Sequence, residues 1–502
     1  MIRLFLSLCC TVSLSFGLCP LLPDVVSLDV DAFADLARDL NAEVEKIVDP
    51  AKPSVSIGLV YNQSLIFSKG YGKINVTDPG LGSPTGQTGF RIGSLTKIFI
   101  VIWLLQLRDA NKLDIDDPVT KYLPNFKINN PFRSRRNVTL RQLACHMGGL
   151  AREVPCPGTY DAGCKLSFDK IYDNIAKSSL IYPPGRMPSY SNMGFALLGR
   201  ALEAYMKTPW EDWIYDDIAK PMNMSNTGAR FTSSTVKNLA VGYIDNKEAG
   251  LVDIGWEAPA GQMYSSVDDL SKLLMMIFRD RFEYGGVAGQ ILDGETLREW
   301  MEPTYMNVDG TGFGLPWELY PIGKPVANYT VRTKSGAING YRARFYFLHE
   351  IKTGFVFLQA SEDSVQESRL SDLLVEFLFR VEGVLWRHQT GPNISDRPED
   401  YTGNFTLGME QETAISIKVI SLNAMKFLRG LWDDGRQFDL IYSSRDVFMM
   451  TLRYVAHSCD AENDGDQQLV YFTRSPETNH VTSFRIPGSD YDATYNLKKP
   501  VD

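Results

Sequence analysis

Ten consecutive residues, Ile98-Phe99-Ile100-Val101-Ile102-Trp103-Leu104-Leu105-Gln106-Leu107, include nine apolar side chains. A helix with no polar face must be enclosed on all sides, so this pattern predicts a helix through the centre of a domain. Upstream, an amphipathic helix is expected near residues 31–47. A β-hairpin follows, with strands at 54–60 and 65–68 around a polar turn and Gly70-Tyr71-Gly72 at its end. From 114 to 301 the pattern reads mostly as helices and loops, including a helix over 192–205. Another is opened by Ser266-Val267-Asp268-Asp269, where the serine caps free N–H groups ahead of Leu270, Leu273, Leu274 and Ile277. Strand character returns at 331–335, 341–348 and 355–359, and an amphipathic helix over 369–385 closes this part of the chain.

Composition changes at Gln389-Thr390-Gly391-Pro392 and Arg397-Pro398, which reads as a linker. Beyond it, Ile415-Ser416-Ile417-Lys418-Val419 alternates as a half-buried strand does, and 448–454 and 469–473 are similarly β-like. The chain is therefore expected to hold a leader at 1–19, a main domain at 24–388 and a small antiparallel β domain at 398–502.

A length of 502 residues with 44% hydrophobic and 22% charged side chains gives ample material for a core. The net charge of -9 argues against nucleic acid or an anionic membrane surface as partners and leaves small solutes. Met1-Ile2-Arg3 followed by an apolar run reads as a cleaved secretory signal, with an uncleaved type II anchor as the alternative. Export is also expected from seven Asn-x-Ser/Thr sequons, at Asn62, Asn75, Asn137, Asn223, Asn328, Asn393 and Asn404. In an oxidising compartment Cys156 and Cys164, which bracket Pro157-Gly158, would be joined. Neither cysteine nor histidine forms a metal-ligand cluster in the sequence, and no cofactor is expected.

The chemistry lies in three motifs: Ser94-Leu95-Thr96-Lys97, Tyr190-Ser191-Asn192 and Lys334-Ser335-Gly336. A serine hydroxyl needs a base to become a nucleophile, and a lysine three residues on shares its helical face. Other copies exist at Ser167-Phe168-Asp169-Lys170, Ser234-Thr235-Val236-Lys237, Tyr172-Asp173-Asn174 and Lys352-Thr353-Gly354. Only Ser94 opens an apolar helix, where Lys97 would be desolvated and less basic. Ser167 and Ser234 read as helix caps, and Lys352 as a hairpin tip. Gly336 is expected to let a substrate approach the strand closely.

With these motifs, 55–382 resembles the serine β-lactamase and penicillin-binding protein superfamily in its class C-like branch, nearest to animal β-lactamase-like proteins. Further support comes from Thr139-Leu140-Arg141-Gln142-Leu143-Ala144-Cys145-His146-Met147-Gly148-Gly149-Leu150 and Ala258-Pro259-Ala260-Gly261-Gln262-Met263-Tyr264-Ser265-Ser266. The resemblance implies an α+β fold, with an antiparallel sheet flanked by helices and a helical subdomain, here followed by the all-β C-terminal domain. It also implies that Ser94 is the nucleophile, that Lys97 and Tyr190 share general-base work, and that Asn192 positions the substrate. Lys334 would favour ionised Tyr190 and attract a substrate carboxylate, with Ser335 and Gly336 beside it. The backbone N–H groups of Ser94 and Ala337 would form the oxyanion hole. The expected protein is a secreted serine hydrolase of amide or ester bonds acting on a small molecule or peptide. A silent extracellular binding protein and an acyltransferase are the alternatives.

Overall fold

The computed structural model describes residues 25, 27–133, 137–156, 164, 166–280, 286–324, 327–388, 398–407, 414–422, 425–433, 435–444, 446–452, 468–486 and 495–498. The leader at 1–19, Cys459 and the sequon at Asn393 lie outside them. The chain divides into two compact units, one made of Ser27–Ile322 with Tyr329–Val384 and the other centred on Leu385–Asp502.

In the larger unit, helix α1 (Ala34–Glu45) buries Leu36, Leu40 and Val44, the stripe that its spacing predicts. Strands β1 (Val55–Tyr61) and β2 (Ser64–Tyr71) form the expected hairpin. Helix α2 (Thr96–Asp109) has every side chain from Thr96 to Leu107 buried except Gln106, so the apolar run does lie inside the core. Helices α3 (Asn192–Met206) and α4 (Val267–Ile277) begin at serine caps. Ser191 Oγ accepts from Gly194 N at 2.8 Å, and Ser266 Oγ accepts from Asp269 N at 3.3 Å.

The rest of the sheet comes from β3 (Tyr305–Met306), β4 (Gly312–Phe313), β5 (Glu318–Lys324), β6 (Ala327–Ile338), β7 (Tyr341–Leu348) and β8 (Thr353–Gln359). These six strands and the first hairpin make one eight-stranded sheet in the order β2-β1-β8-β7-β6-β5-β4-β3. β1, all seven residues of which are buried, pairs antiparallel with β8, and β6 pairs antiparallel with β7 in a register that puts Lys334 opposite Phe345. Helix α5 (Ser364–His388) follows. Strand β5 was not visible in the sequence pattern because Pro321 and Gly323 interrupt its alternation.

The second unit is a closed eight-stranded barrel running from Gly403–Leu407 to Tyr495–Lys498, with Phe405 paired to Leu497 where first and last strands meet. Closure leaves no sheet edge. Tyr401, Phe405, Phe438, Phe448, Phe472 and Phe484 are buried in its core. Cys156 and Cys164 form a disulfide. Of the sequons, Asn137, Asn223 and Asn404 are exposed, Asn62 and Asn75 are half-buried, and Asn328 lies on β6. Among the described residues no helix is long and apolar enough to cross a membrane.

Candidate active site

The position of Ser94 is set by the glycine before it. Gly93 takes φ +50°, a left-handed conformation that costs other residues a Cβ clash, and opens a single 3-10 turn that runs into α2. That turn leaves Ser94 half-buried at the mouth of the apolar helix and Lys97, fully buried, one turn further along the same face. Lys97 Nζ lies 3.0 Å from Ser94 Oγ, and its other protons go to Asn192 Oδ1 at 2.8 Å and the Ala260 carbonyl at 2.7 Å. All three ammonium donors are therefore used.

Tyr190 brings the second group. Its hydroxyl donates to Ser94 Oγ at 2.7 Å. The ring stacks on His146 with centroids 4.2 Å apart and is ringed by cations: Lys97 Nζ at 5.1 Å, Lys334 Nζ at 4.9 Å and the Arg152 guanidinium carbon at 4.8 Å from its centroid. Burial alone would raise the phenol's pKa, but Lys334, Lys97 and the hydrogen bond to Ser94 outweigh it and bring it down to about 8. Burial is also the main reason that Lys97 is less basic than usual, with Lys334 adding to the effect and Tyr190 opposing it.

His146 is a platform for this phenol. It adopts φ +61°, its Nδ1 accepts from Ser191 N at 3.1 Å, and its carbonyl accepts from Ser189 N at 2.8 Å, so it grips both sides of Tyr190 in the chain. Burial, followed by the charges of Lys97, Lys334 and Arg152, holds its pKa well below the ordinary histidine value and keeps the ring neutral. His146 belongs to the segment 139–150, and its place in that motif is the one sequence signal for this role.

Asn192 opens α3 and is engaged at both ends. Besides accepting from Lys97, it donates through Nδ2 to Glu153 at 2.9 and 3.0 Å. Its amide, expected to position substrate, links Lys97 to Glu153. Lys334 and Ser335 project from β6 onto Glu318 of β5, with Lys334 Nζ 2.5 Å from Oε1 and Ser335 Oγ donating to Oε2 at 3.4 Å. Glu153 and Glu318 carried no local sequence signal, because each reaches the site from a distant segment.

Gly336 makes a close backbone contact. A Cβ there would stand 2.1 Å from the Ile92 carbonyl oxygen, so the missing side chain lets β6 pack against the turn that carries Ser94. The same contact brings Ala337 N to 2.8 Å from where a Cβ on Gly93 would be, beside the Ser94 turn. Gly336→Ala is therefore expected to displace the nucleophile. Loss of about 10²-fold in Ser94 acylation is expected for a shift near 1 Å, accompanied by a lower melting temperature; stopped-flow labelling and thermal denaturation measure the two.

The other motif copies lie elsewhere. Ser167 caps the helix Phe168–Lys177, its Oγ accepting from Lys170 N at 3.4 Å, and Tyr172, Asp173 and Asn174 lie within that helix. Ser234 does not cap: the cap is Thr232, and Ser234 sits inside the short exposed helix Ser233–Lys237. Lys352 stands at the β7–β8 turn with φ +47°, its Nζ donating to Asp280 at 2.7 Å.

The protein family described as Beta-lactamase matches residues 33–377. Beta-lactamase-like protein 2 of Dictyostelium discoideum is 31% identical over 370 residues, an alignment covering 71% of this chain and 65% of that protein. The chain thus spans just under two thirds of that relative's length. The human putative beta-lactamase-like 1 is 28% identical over 368 residues, covering 71% of each. A beta-lactamase/D-alanine carboxypeptidase from Yersinia pestis shares the fold with a TM-score of 0.57 at 20% identity, covering 70% of this chain and 99% of that one.

Proposed function

The chain belongs to the beta-lactamase family, and from that premise we propose that it is a secreted serine hydrolase that cleaves amide or ester bonds through an acyl-enzyme on Ser94. One observation carries the reading: the Ser94 hydroxyl lies within hydrogen-bonding distance of both Lys97, at 3.0 Å, and Tyr190, at 2.7 Å. A phenol with a pKa of about 8 is close enough to neutrality to serve as a base and then as an acid. In its ionised form Tyr190 takes the Ser94 proton as Oγ attacks the substrate carbonyl. The oxyanion that forms is met by the N–H groups of Ser94 and Ala337, and the Tyr190 proton passes to the leaving group as the C–N or C–O bond breaks. Water then attacks the acyl carbonyl and gives a proton to the same phenolate; as the bond from the carbonyl carbon to Ser94 Oγ breaks, Tyr190 passes that proton to Oγ and the carboxylic acid product leaves. Secretion is supported by the Cys156–Cys164 disulfide and by the exposed sequons at Asn137, Asn223 and Asn404.

The reading is tested by exposing the purified protein to a fluorophosphonate and to a fluorescent penicillin and mapping the adduct by peptide mass spectrometry. A single modified residue, Ser94, is the expected result. An unmodified protein, or an adduct on Ser167 or Ser234 instead, removes the proposal.

A further inference from the structure

Strand β6 carries two groups suited to receive an acidic substrate, the Lys334 ammonium and the Ser335 hydroxyl, yet a carboxylate of the protein itself already sits on both. Glu318 takes a Lys334 proton through Oε1 at 2.5 Å and the Ser335 proton through Oε2 at 3.4 Å. The Ser335 carbonyl accepts from Lys334 at 3.2 Å, and the Tyr190 ring lies beside the same ammonium, its centroid 4.9 Å from Nζ. Two of the ammonium's three donors are therefore already held by oxygens of the protein, one of them the Glu318 carboxylate. The Lys334 side chain is 0% exposed while that of Glu318 is 13% exposed, which makes the anion the more accessible member of a pair with no net charge. Nearby cations are matched as well: Arg152 pairs with Glu153 at 3.1 Å, and Lys97 is engaged by Ser94, Asn192 and Ala260.

We infer that Glu318 excludes carboxylates from this subsite, so that the acyl donor is an ester or amide uncharged at the position beside Ser335. The inference rests on the acyl-enzyme reading above and corrects the expectation that Lys334 attracts a substrate carboxylate. An acidic ligand would have to displace Glu318, leaving a half-buried carboxylate unpaired, or lie against it as a second anion. A neutral ester or amide incurs neither penalty. Glu318 thus acts as a specificity determinant through the pairing of Lys334 and Ser335.

The test uses a matched pair of acylglycine phenyl esters, one with a free meta-carboxylate on the leaving phenol and one with that group as its N-methyl amide. For the unmodified protein, kcat/KM for the neutral ester is expected to exceed that for the acidic one by about tenfold or more, the scale of a like-charge contact in a partly buried site. Glu318→Gln should raise the acidic-to-neutral ratio by a similar factor. The corresponding pair of arylboronic acids, whose boron takes up the serine oxygen, should show the same two ratios in equilibrium binding. Equal or better use of the acidic ester by the unmodified protein overturns the inference, as does a ratio that Glu318→Gln leaves unchanged. Should Glu318→Gln not fold, the unmodified protein's ratio decides alone. Absence of Ser94-dependent turnover with both esters is a separate result, which removes the acyl-enzyme reading and this inference with it.

Discussion

Ser94→Ala protein is expected to fold normally and to turn over activated esters at a rate lower by on the order of 10⁴ or more, the scale on which removal of a serine nucleophile acts. The fold should survive because the hydroxyl is half-buried and contributes only one of three acceptors around Lys97. Asn192 Oδ1 and the Ala260 carbonyl remain, and water can take the third place. The site should nevertheless register the change. Once Tyr190 is ionised the Ser94 hydroxyl can donate to the phenolate, which is among the interactions that lower its pKa, so in the variant Tyr190 should ionise above about 8. Ester hydrolysis, thermal denaturation and ultraviolet titration of tyrosine measure the three effects separately. Turnover in Ser94→Ala at the unmodified rate would remove Ser94 as the nucleophile.

What the sequence revealed of this site depended on how local each signal was. Ser94 and Lys97 could be paired because three residues on a helix put them on one face, and the apolar run after them distinguished this copy from Ser167 and Ser234. The caps at Ser191 and Ser266 depend on the residues immediately following and could be read in the same way. Glu318, Glu153, His146 and the Ala260 carbonyl are different. Each meets its partner across more than one element of the fold: Glu318 touches Lys334 through the β5–β6 pairing, and Ala260 reaches Lys97 across 163 positions of chain. No period or spacing encodes such contacts. Gly336 shows a further limit, since the residue was legible but its packing contact was not. Only the Ile92 carbonyl at 2.1 Å from a built Cβ shows that the glycine serves the nucleophile's turn. In the C-terminal unit three strands were visible as alternation, whereas closure into eight became apparent only from the pairing of Phe405 with Leu497.

Tyr190→Phe distinguishes which base serves Ser94. The substitution keeps the ring, and with it the stack on His146 and the cations around its faces, while removing the oxygen 2.7 Å from Ser94. Acylation is expected to slow by about 10³-fold, within the range that positioned acid–base groups contribute. The pH profile should change in a defined direction. A phenol lowered to about 8 is the active base when ionised, so activity of the unmodified protein should climb as pH rises toward 8, level off above it, and fall about tenfold per unit well below it. Tyr190→Phe should lose that limb. If Lys97 were instead the sole base, the variant would retain near-normal rates and its limb would move to lower pH, because Tyr190 is one of the charges that raise the lysine's pKa. A profile unchanged in both rate and position would exclude the phenol from proton transfer.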